Sequence, residues 1–218
     1  MKDMPIGSTH TAETINKMRF LNKMKLTSRK LFMFGAFIFS CLAMPLAQAA
    51  DDIKGVNLLH TANWKAATDG FGSSFKASDP LVQNDQIQVE FTLFKKQEGK
   101  NWPFVELICA TDTALTGVSS VEITYRSGAD VSVKFNQSDF GSKGDGSYAH
   151  YQTVIPASDE WTTIKLDASD FAQPNWAPES TKKIALNLSN VKDIYLSPKL
   201  NFETGETSTL SVKSLRVL

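Results

Sequence analysis

VEITYRSGADVSVKF, residues 121–135, shows what kind of structure this chain forms. Residues 121–125 and 131–135 alternate apolar and polar side chains, and the turn-forming residues 127–130 lie between the two runs. Strict alternation is typical of a strand with one face against a core and the other in water. The segment therefore predicts two half-buried β-strands.

Similar runs occur on both sides of this segment. The clearest lie at residues 87–93, 161–166 and 210–215, and further candidate strands are 104–109, 151–155, 184–188 and 193–196. Turn residues separate these runs, and no helical period of useful length follows Asp51. About ten short strands with such turns predict an all-β fold, a β-sandwich or jelly roll, with a barrel as the alternative.

Residues 51–218 are predicted to form a single domain. The segment is long enough for one well-packed core and short for two. No internal repeat, heptad pattern or linker divides it.

Residues 1–50 have the organisation of an N-terminal extension that ends in a secretory signal peptide. Basic residues are followed by an apolar run, a helix-breaking proline and a small-x-small motif: Lys25, Arg29 and Lys30, then 31–42, Pro45 and Ala47-Gln48-Ala49. The apolar run is short for a membrane-spanning helix. We therefore expect cleavage after Ala49 or Ala50, no stable membrane span afterwards, and export to the periplasm or the outside of the cell.

Two alternatives concern this leader. One is an uncleaved N-terminal anchor. The other is acylation of Cys41, since residues 38–41 loosely resemble a lipobox. Phe39 is bulky for that motif, and the apolar run continues past the cysteine to the cleavage site.

The neutral total charge hides an acidic domain. The whole chain has 23 basic and 23 acidic residues, but from Asp51 onward there are 16 basic and 21 acidic residues, a net charge near −5. An acidic domain disfavours binding to nucleic acid, which attracts basic surfaces.

Cys109 is the only cysteine after residue 50. It has no partner for an internal disulfide, so this exported domain must be stabilised by its core. Its place in the apolar run 105–109 predicts a buried thiol that packs as a small apolar side chain.

The familiar catalytic patterns are absent from residues 51–218. Only His60 and His150 are available as imidazole ligands, and there is no HExxH spacing, no GxSxG and no phosphate-binding glycine loop followed by a helix. A pair of carboxylates could form a glycosidase site, but no pair stands out from the sequence.

Residues 135–152 and 170–176 are instead rich in aromatic and amide side chains. Aromatic rings stack on the C–H faces of a pyranose while amide, carboxylate and imidazole groups bond its hydroxyls, and such a site needs no metal. We therefore predict a sugar site and no catalytic residues. The candidate ligand contacts are Trp102, Tyr125, Asp139, His150, Tyr151, Gln152 and Trp176.

Each candidate also has a structural interpretation. Asp139 could cap the turn before Gly141, and His150 could be a hydrogen-bonded histidine between strands. Two further tryptophans are not among the candidate contacts. Trp161 begins an alternating strand and is predicted to lie in the core. For Trp64 two interpretations remain, that it closes the sandwich or that it contacts a ligand.

The order of five segments resembles carbohydrate-binding modules of the galactose-binding-like β-sandwich type attached to bacterial cellulases, in the manner of family 11. The segments are VEITYR (121–126), VSVKFNQSDF (131–140), YAHYQ (148–152), WTTIKL (161–166) and SDFAQPNW (169–176). The resemblance covers about residues 85–218. It implies a jelly roll that binds a β-glucan or related chain along a concave sheet face, with a structural calcium in many members.

The chain shows no catalytic domain, which such modules usually accompany, so the resemblance favours a free-standing exported binder of a polysaccharide. The alternatives are a structural or protein-interaction domain of the cell envelope, with a protein as partner, and a jelly-roll polysaccharide lyase or hydrolase.

Overall fold

The computed structural model describes residues 55–111 and 113–218, which contain ten β-strands and four short 3-10 turns. The strands are β1 (Asn63–Thr68), β2 (Ser74–Gln83), β3 (Gln86–Leu93), β4 (Val105–Ala110), β5 (Ser120–Ser127), β6 (Val131–Gln137), β7 (Tyr151–Ile155), β8 (Ser158–Asp167), β9 (Val191–Pro198) and β10 (Glu206–Val217). The 3-10 turns are Ser138–Phe140, Ala168–Asp170, Thr181–Lys183 and Leu188–Asn190.

The strands form two five-stranded sheets. Sheet I has the order β1-β4-β9-β6-β7, and sheet II has the order β2-β3-β10-β5-β8. All neighbouring strands are antiparallel. The turn at residues 127–130 carries the chain from sheet II to sheet I, so the two strands of the 121–135 segment lie in different sheets.

The inward faces of the two sheets share one hydrophobic core, which makes the molecule a β-sandwich. Alternate residues of β5, β6 and β9 point into this core, including Ile123, Val133 and Ile194. The predicted all-β sandwich is confirmed.

Tyr125 belongs to this core and its predicted role as a surface sugar contact is wrong. Its side chain is fully buried, and its hydroxyl donates a 2.6 Å hydrogen bond to the carbonyl oxygen of Pro156. Within β5, Tyr125 has the same phase as Val121 and Ile123, so the strand geometry turns all three inward.

Trp64 is also a core residue, and its indole N–H donates to the carbonyl of Leu58 at 3.0 Å. Cys109 is fully buried, as predicted, and burial raises the pKa of its thiol. Trp161, in contrast, was predicted to be buried but is half-exposed on the outer face of sheet II, where Arg126 and Lys213 lie over its ring.

Two strands were not predicted, and one predicted strand is absent. The sequences of β1 and β2 show little alternation of apolar and polar residues. Both are edge strands, and most of β2 is exposed. Residues 184–188 form an irregular segment and not the predicted strand, since the hydrogen bonds of Ala185 and Asn187 go to the side chain of Gln137.

The predictions for the leader, namely the signal peptide, its cleavage site and the alternative at Cys41, concern residues outside those described. Across residues 55–111 and 113–218, no helix has the length and apolar character needed to cross a membrane.

Candidate functional site on the outer face of sheet I

Sheet I has two different faces. Its inner face packs into the hydrophobic core, and its outer face carries polar and aromatic side chains. Tyr195 stands at its centre on β9, paired in register with Ile108 on β4 and with Lys134 on β6. Lys134 is in turn paired with Gln152 on β7. These side chains are only half-exposed or less, although they point away from the core. The row therefore forms a partly enclosed surface that crosses four strands.

Each charged group at the centre of this face is bonded to a neighbouring side chain. Lys134 Nζ and Glu106 Oε1 are 2.7 Å apart and form an ion pair that reaches across β9. Asn136 donates a 2.7 Å hydrogen bond to the carboxylate of Asp193. Lys134 offsets the charge of Glu106, and Asp193 leaves these four residues with one net negative charge.

His150 lies at the start of β7 and is the least exposed polar residue of this site, with 5% of its surface accessible. Burial, together with the positive charge of Lys134, lowers the pKa of His150 to about 4, and the negative charge of Asp145 opposes the change. The imidazole is therefore neutral at physiological pH. Its Nδ1 atom is buried and has no hydrogen-bond partner among the described residues. Because this atom is buried, a ligand on the face does not reach it, and His150 acts mainly by packing against the rings around it.

Three aromatic rings surround this imidazole. The ring centroid of His150 is 6.0 Å from that of Tyr195, 6.3 Å from that of Tyr148 and 6.0 Å from that of Phe140, each in an edge-on arrangement. Phe140 is buried beneath the cluster, while Tyr148 is 58% exposed. Tyr148, His150 and Tyr195 are called the aromatic cluster below.

The two tyrosines of the cluster differ in chemistry. Burial raises the pKa of the Tyr195 hydroxyl well above its ordinary value, and the negative charges of Asp193 and Glu106 raise it further. Tyr195 is thus a neutral phenol that can donate a hydrogen bond. Tyr148 has a φ of 55°, in the left-handed region that non-glycine residues rarely adopt. Such a conformation persists only where surrounding contacts hold it, and it presents the Tyr148 ring to solvent beside His150.

Those contacts come from two loops. The loop that joins β6 to β7 is tied to the loop that joins β8 to β9 by the hydroxyl of Thr181, which donates to Asp145 at 2.6 Å. Within the first loop, the backbone N–H of Tyr148 donates to the carbonyl of Phe140 at 2.7 Å. Gly144 is packed so closely that a Cβ atom there would lie 2.0 Å from the carbonyl oxygen of Asp139. The aromatic cluster is therefore held in place before any ligand arrives.

Asp139 serves this scaffold. Its carboxylate accepts a 3.0 Å hydrogen bond from the side chain of Asn190, and this bond is the main reason that the pKa of Asp139 is lowered. The contact fixes the 3-10 turn after β6 to the start of β9. Asp139 thus has a structural role, but as a tie to Asn190 and not as the expected cap of the turn before Gly141.

The structure brings two of the predicted contacts together on this face, His150 and Gln152. Gln152 is half-exposed, and its side-chain oxygen accepts a 3.3 Å hydrogen bond from Ser132. Tyr151 is wrongly predicted as an outward contact, because its ring packs against the core and its hydroxyl donates to the carbonyl of Ile184 at 3.1 Å.

The two exposed tryptophans, Trp102 and Trp176, lie in different loops. Trp102 is 64% exposed, lies just before β4, and packs edge-on against Phe202 with ring centroids 4.9 Å apart. This places it at the end of sheet I where β9 finishes. Trp176 is 60% exposed on the loop that leads to the start of β9. Both remain predicted ligand contacts, and the described contacts join neither of them to the aromatic cluster.

The sequence prediction missed the residues at the centre of the site: Glu106, Lys134, Asn136, Tyr148, Asp193 and Tyr195. A usable signal exists in β9, where Asp193, Tyr195 and Ser197 alternate with buried Ile194 and Leu196. A polar row with an aromatic residue at its middle is the pattern that the site requires.

No three His, Cys, Asp or Glu side chains converge to hold a metal ion within 55–111 and 113–218. The calcium implied by the resemblance therefore has no cluster of acidic ligands among these residues.

Comparison with known proteins finds similarity at the level of the fold. No family model matches the sequence, and no curated protein matches it. A family 11 carbohydrate-binding module from Clostridium thermocellum, solved in complex with a β-1,3-1,4-mixed-linked tetrasaccharide, superposes with a TM-score of 0.52 and 16% identity, over 77% of this chain and 92% of that one. The family 11 module of the cellulosomal cellulase Lic26A-Cel5E of the same organism gives a TM-score of 0.51 and 14% identity, over 75% and 93% of the two chains. At these identities the likeness shows a shared β-sandwich fold.

Proposed function

We propose that this chain is an exported, non-catalytic module that binds a neutral polysaccharide across the outer face of sheet I. The observation that carries the proposal is the aromatic cluster, in which a neutral imidazole lies between a neutral phenol and an exposed, conformationally strained tyrosine. Aromatic rings with neutral donors and acceptors at their edges are the groups that bind a sugar ring and its hydroxyls.

The charge arrangement supports a neutral ligand. Lys134 offsets the charge of Glu106, whereas Asp193 is bonded only to the neutral amide of Asn136, so the centre of the face carries one net negative charge. An acidic sugar placed beside Asp193 would be repelled by this carboxylate. A neutral glucan has no such cost.

The shape of the face supports a chain-like ligand. The row from Ile108 through Tyr195 and Lys134 to Gln152 crosses four neighbouring strands of one sheet, so it can contact several successive residues of an extended chain. We infer a β-glucan as the ligand, by analogy with the structurally similar family 11 module that was solved with a mixed-linked tetrasaccharide.

A non-catalytic role fits the same groups. Glu106 is held by Lys134 and Asp193 by Asn136, and each of these carboxylates already has a bonding partner on the protein. Neither is presented as a free acid or base. Incubation with the bound glucan is expected to release no new reducing ends and no unsaturated products, and release of either would show an enzyme instead.

Calorimetric titration of the protein with soluble β-glucans tests the proposal. We expect saturable binding that falls about tenfold or more in Tyr148→Ala, which removes a stacking ring, and several-fold in Tyr195→Phe, which keeps the ring and removes its donor. Phe75→Ala is the matched control, because Phe75 is a comparably exposed aromatic residue on β2 of sheet II.

Binding that is unchanged in both tyrosine variants, or absent from the folded wild-type protein across a broad neutral panel, would contradict the proposal. The second result would favour the alternative that the domain binds a protein of the cell envelope.

A further inference from the structure

The outer face of sheet II carries a cationic cluster that the proposed glucan site does not use. The indole of Trp161 on β8 lies beneath two positive charges, with Arg126 Cζ 5.0 Å and Lys213 Nζ 4.2 Å from its ring centroid. Arg126 comes from β5 and Lys213 from β10, so three neighbouring strands supply the group. Trp161, Arg126 and Lys213 are called the cationic cluster.

Neither cation has a carboxylate partner. Among the described residues, the ion pairs involve His60, Lys76, Lys134, Lys165 and Lys182, and none involves Arg126 or Lys213. Two like charges within 5.0 Å of one ring repel each other, and the electron-rich face of the indole offsets this repulsion only in part. An anionic group placed between them would relieve the repulsion and add two favourable interactions.

The two unpaired cations belong to a domain that is acidic as a whole. Residues 51–218 have a net charge near −5, with 21 acidic and 16 basic residues. A polyanion is repelled by such a domain as a whole, and screening limits attraction to charges within about one Debye length, ~8 Å at physiological salt. Binding of an anion therefore requires a local site of this kind.

A polar depression adjoins the cluster on the same face. It is lined by Arg126 together with the amide of Gln88 and the hydroxyls of Ser158, Thr209 and Ser211. Gln88, Ser211 and Arg126 lie opposite one another on β3, β10 and β5, so the depression continues the row that leads to Trp161. Asp159 also lines the depression, but it forms no ion pair with Arg126 or Lys213.

The combination matches one class of ligand. An amide and several hydroxyls complement the hydroxyl groups of a pyranose, and a guanidinium beside them complements a carboxylate, which it can bind through two parallel hydrogen bonds. We propose that this face is a second binding site that takes an acidic sugar residue of a polysaccharide, with its carboxylate between Arg126 and Lys213. The site lies on the opposite sheet from the aromatic cluster, and it does not rest on the proposed function.

Titration of the full chain with polygalacturonate, a chain of acidic pyranoses, tests this site. We expect saturable binding that weakens as salt is raised, and that falls about tenfold in Arg126→Ala and in Lys213→Ala. Arg216→Ala is the matched control, since Arg216 is an exposed cation on β10 of the same sheet, and its removal changes the net charge equally. The control is expected to keep wild-type affinity.

Three results would overturn the proposal. Absence of binding by the folded wild-type chain is one, and an equal loss in Arg216→Ala is another, because it would show a diffuse charge effect. The third is equal binding of poly-L-glutamate or of the methyl-esterified polygalacturonate, because the first lacks the sugar ring and the second lacks the charge. Tyr148→Ala is expected to keep polygalacturonate binding, which separates this site from the glucan site.

Discussion

Acidification is expected to destabilise this protein through His150. Burial lowers the pKa of the folded-state imidazole to about 4 from an ordinary value of 6.5, with Lys134 acting in the same direction and Asp145 against it. In the unfolded chain, histidine takes up its proton near its ordinary pKa. Between these two pKa values the unfolded state binds a proton that the folded state does not, so the free energy of unfolding falls as the pH falls.

The size of the effect follows from the pKa difference. One pKa unit corresponds to about 1.4 kcal/mol, so the full loss is about 3 kcal/mol and is reached below about pH 4. At about pH 4.5 the loss from His150 alone is about 2.5 kcal/mol, and above about pH 7 it vanishes. For a domain of ordinary stability, this is a large share of the total free energy of unfolding.

Urea unfolding at several pH values between about 7 and 4.5 measures this loss. The wild-type protein is expected to lose about 2.5 kcal/mol more across this range than His150→Gln, which has no proton to gain at that site. His60→Gln is the matched control, because it removes an exposed histidine and keeps His150. Carboxylates whose pKa values are lowered without any contribution from His150, such as Asp69 and Asp139, are present in all three proteins and cancel in the comparison.

Parallel pH profiles for the wild-type protein and His150→Gln would contradict this prediction. Such a result would mean that the imidazole of the folded protein accepts a proton as readily as that of the unfolded chain. The site would then present a cation at mildly acidic pH and not a neutral ring.

Two further substitutions distinguish core residues from residues of the face. Tyr125→Phe removes the hydrogen bond to Pro156 and should lower the free energy of unfolding by about 1 kcal/mol, measured by urea unfolding, without changing glucan affinity. A loss of affinity at unchanged stability would contradict its place in the core. Lys134→Met leaves the carboxylate of Glu106, only 12% exposed, without its partner and should cost about 2 kcal/mol by the same measurement. The double variant with Glu106→Gln should recover most of that cost, and a double variant as unstable as Lys134→Met would contradict the ion-pair explanation.

Part of what the sequence prediction missed was present in the phase of the strands. In residues 121–125, Tyr125 shares its phase with Val121 and Ile123, which identifies it as a core residue. In residues 161–166, Trp161 is out of phase with the inward-facing Ile164 and Leu166, which places it on the outer face. In both cases the side chain was assigned from its residue type and its neighbours. Its position in the inward–outward alternation of the strand would have given the correct assignment.

The all-β class, most of the strands and the burial of Cys109 could be predicted from residues 51–218, because alternation of side chains follows from the local geometry of an extended backbone. The site could not be predicted in this way, because it depends on how distant strands pair. Tyr195 meets Lys134 and His150 because β9 inserts between β4 and β6, and such pairing between distant segments leaves no local mark on the chain. The neutral state of His150 was decided in the same way, since it results from burial by residues that are distant in sequence as well as by its neighbours.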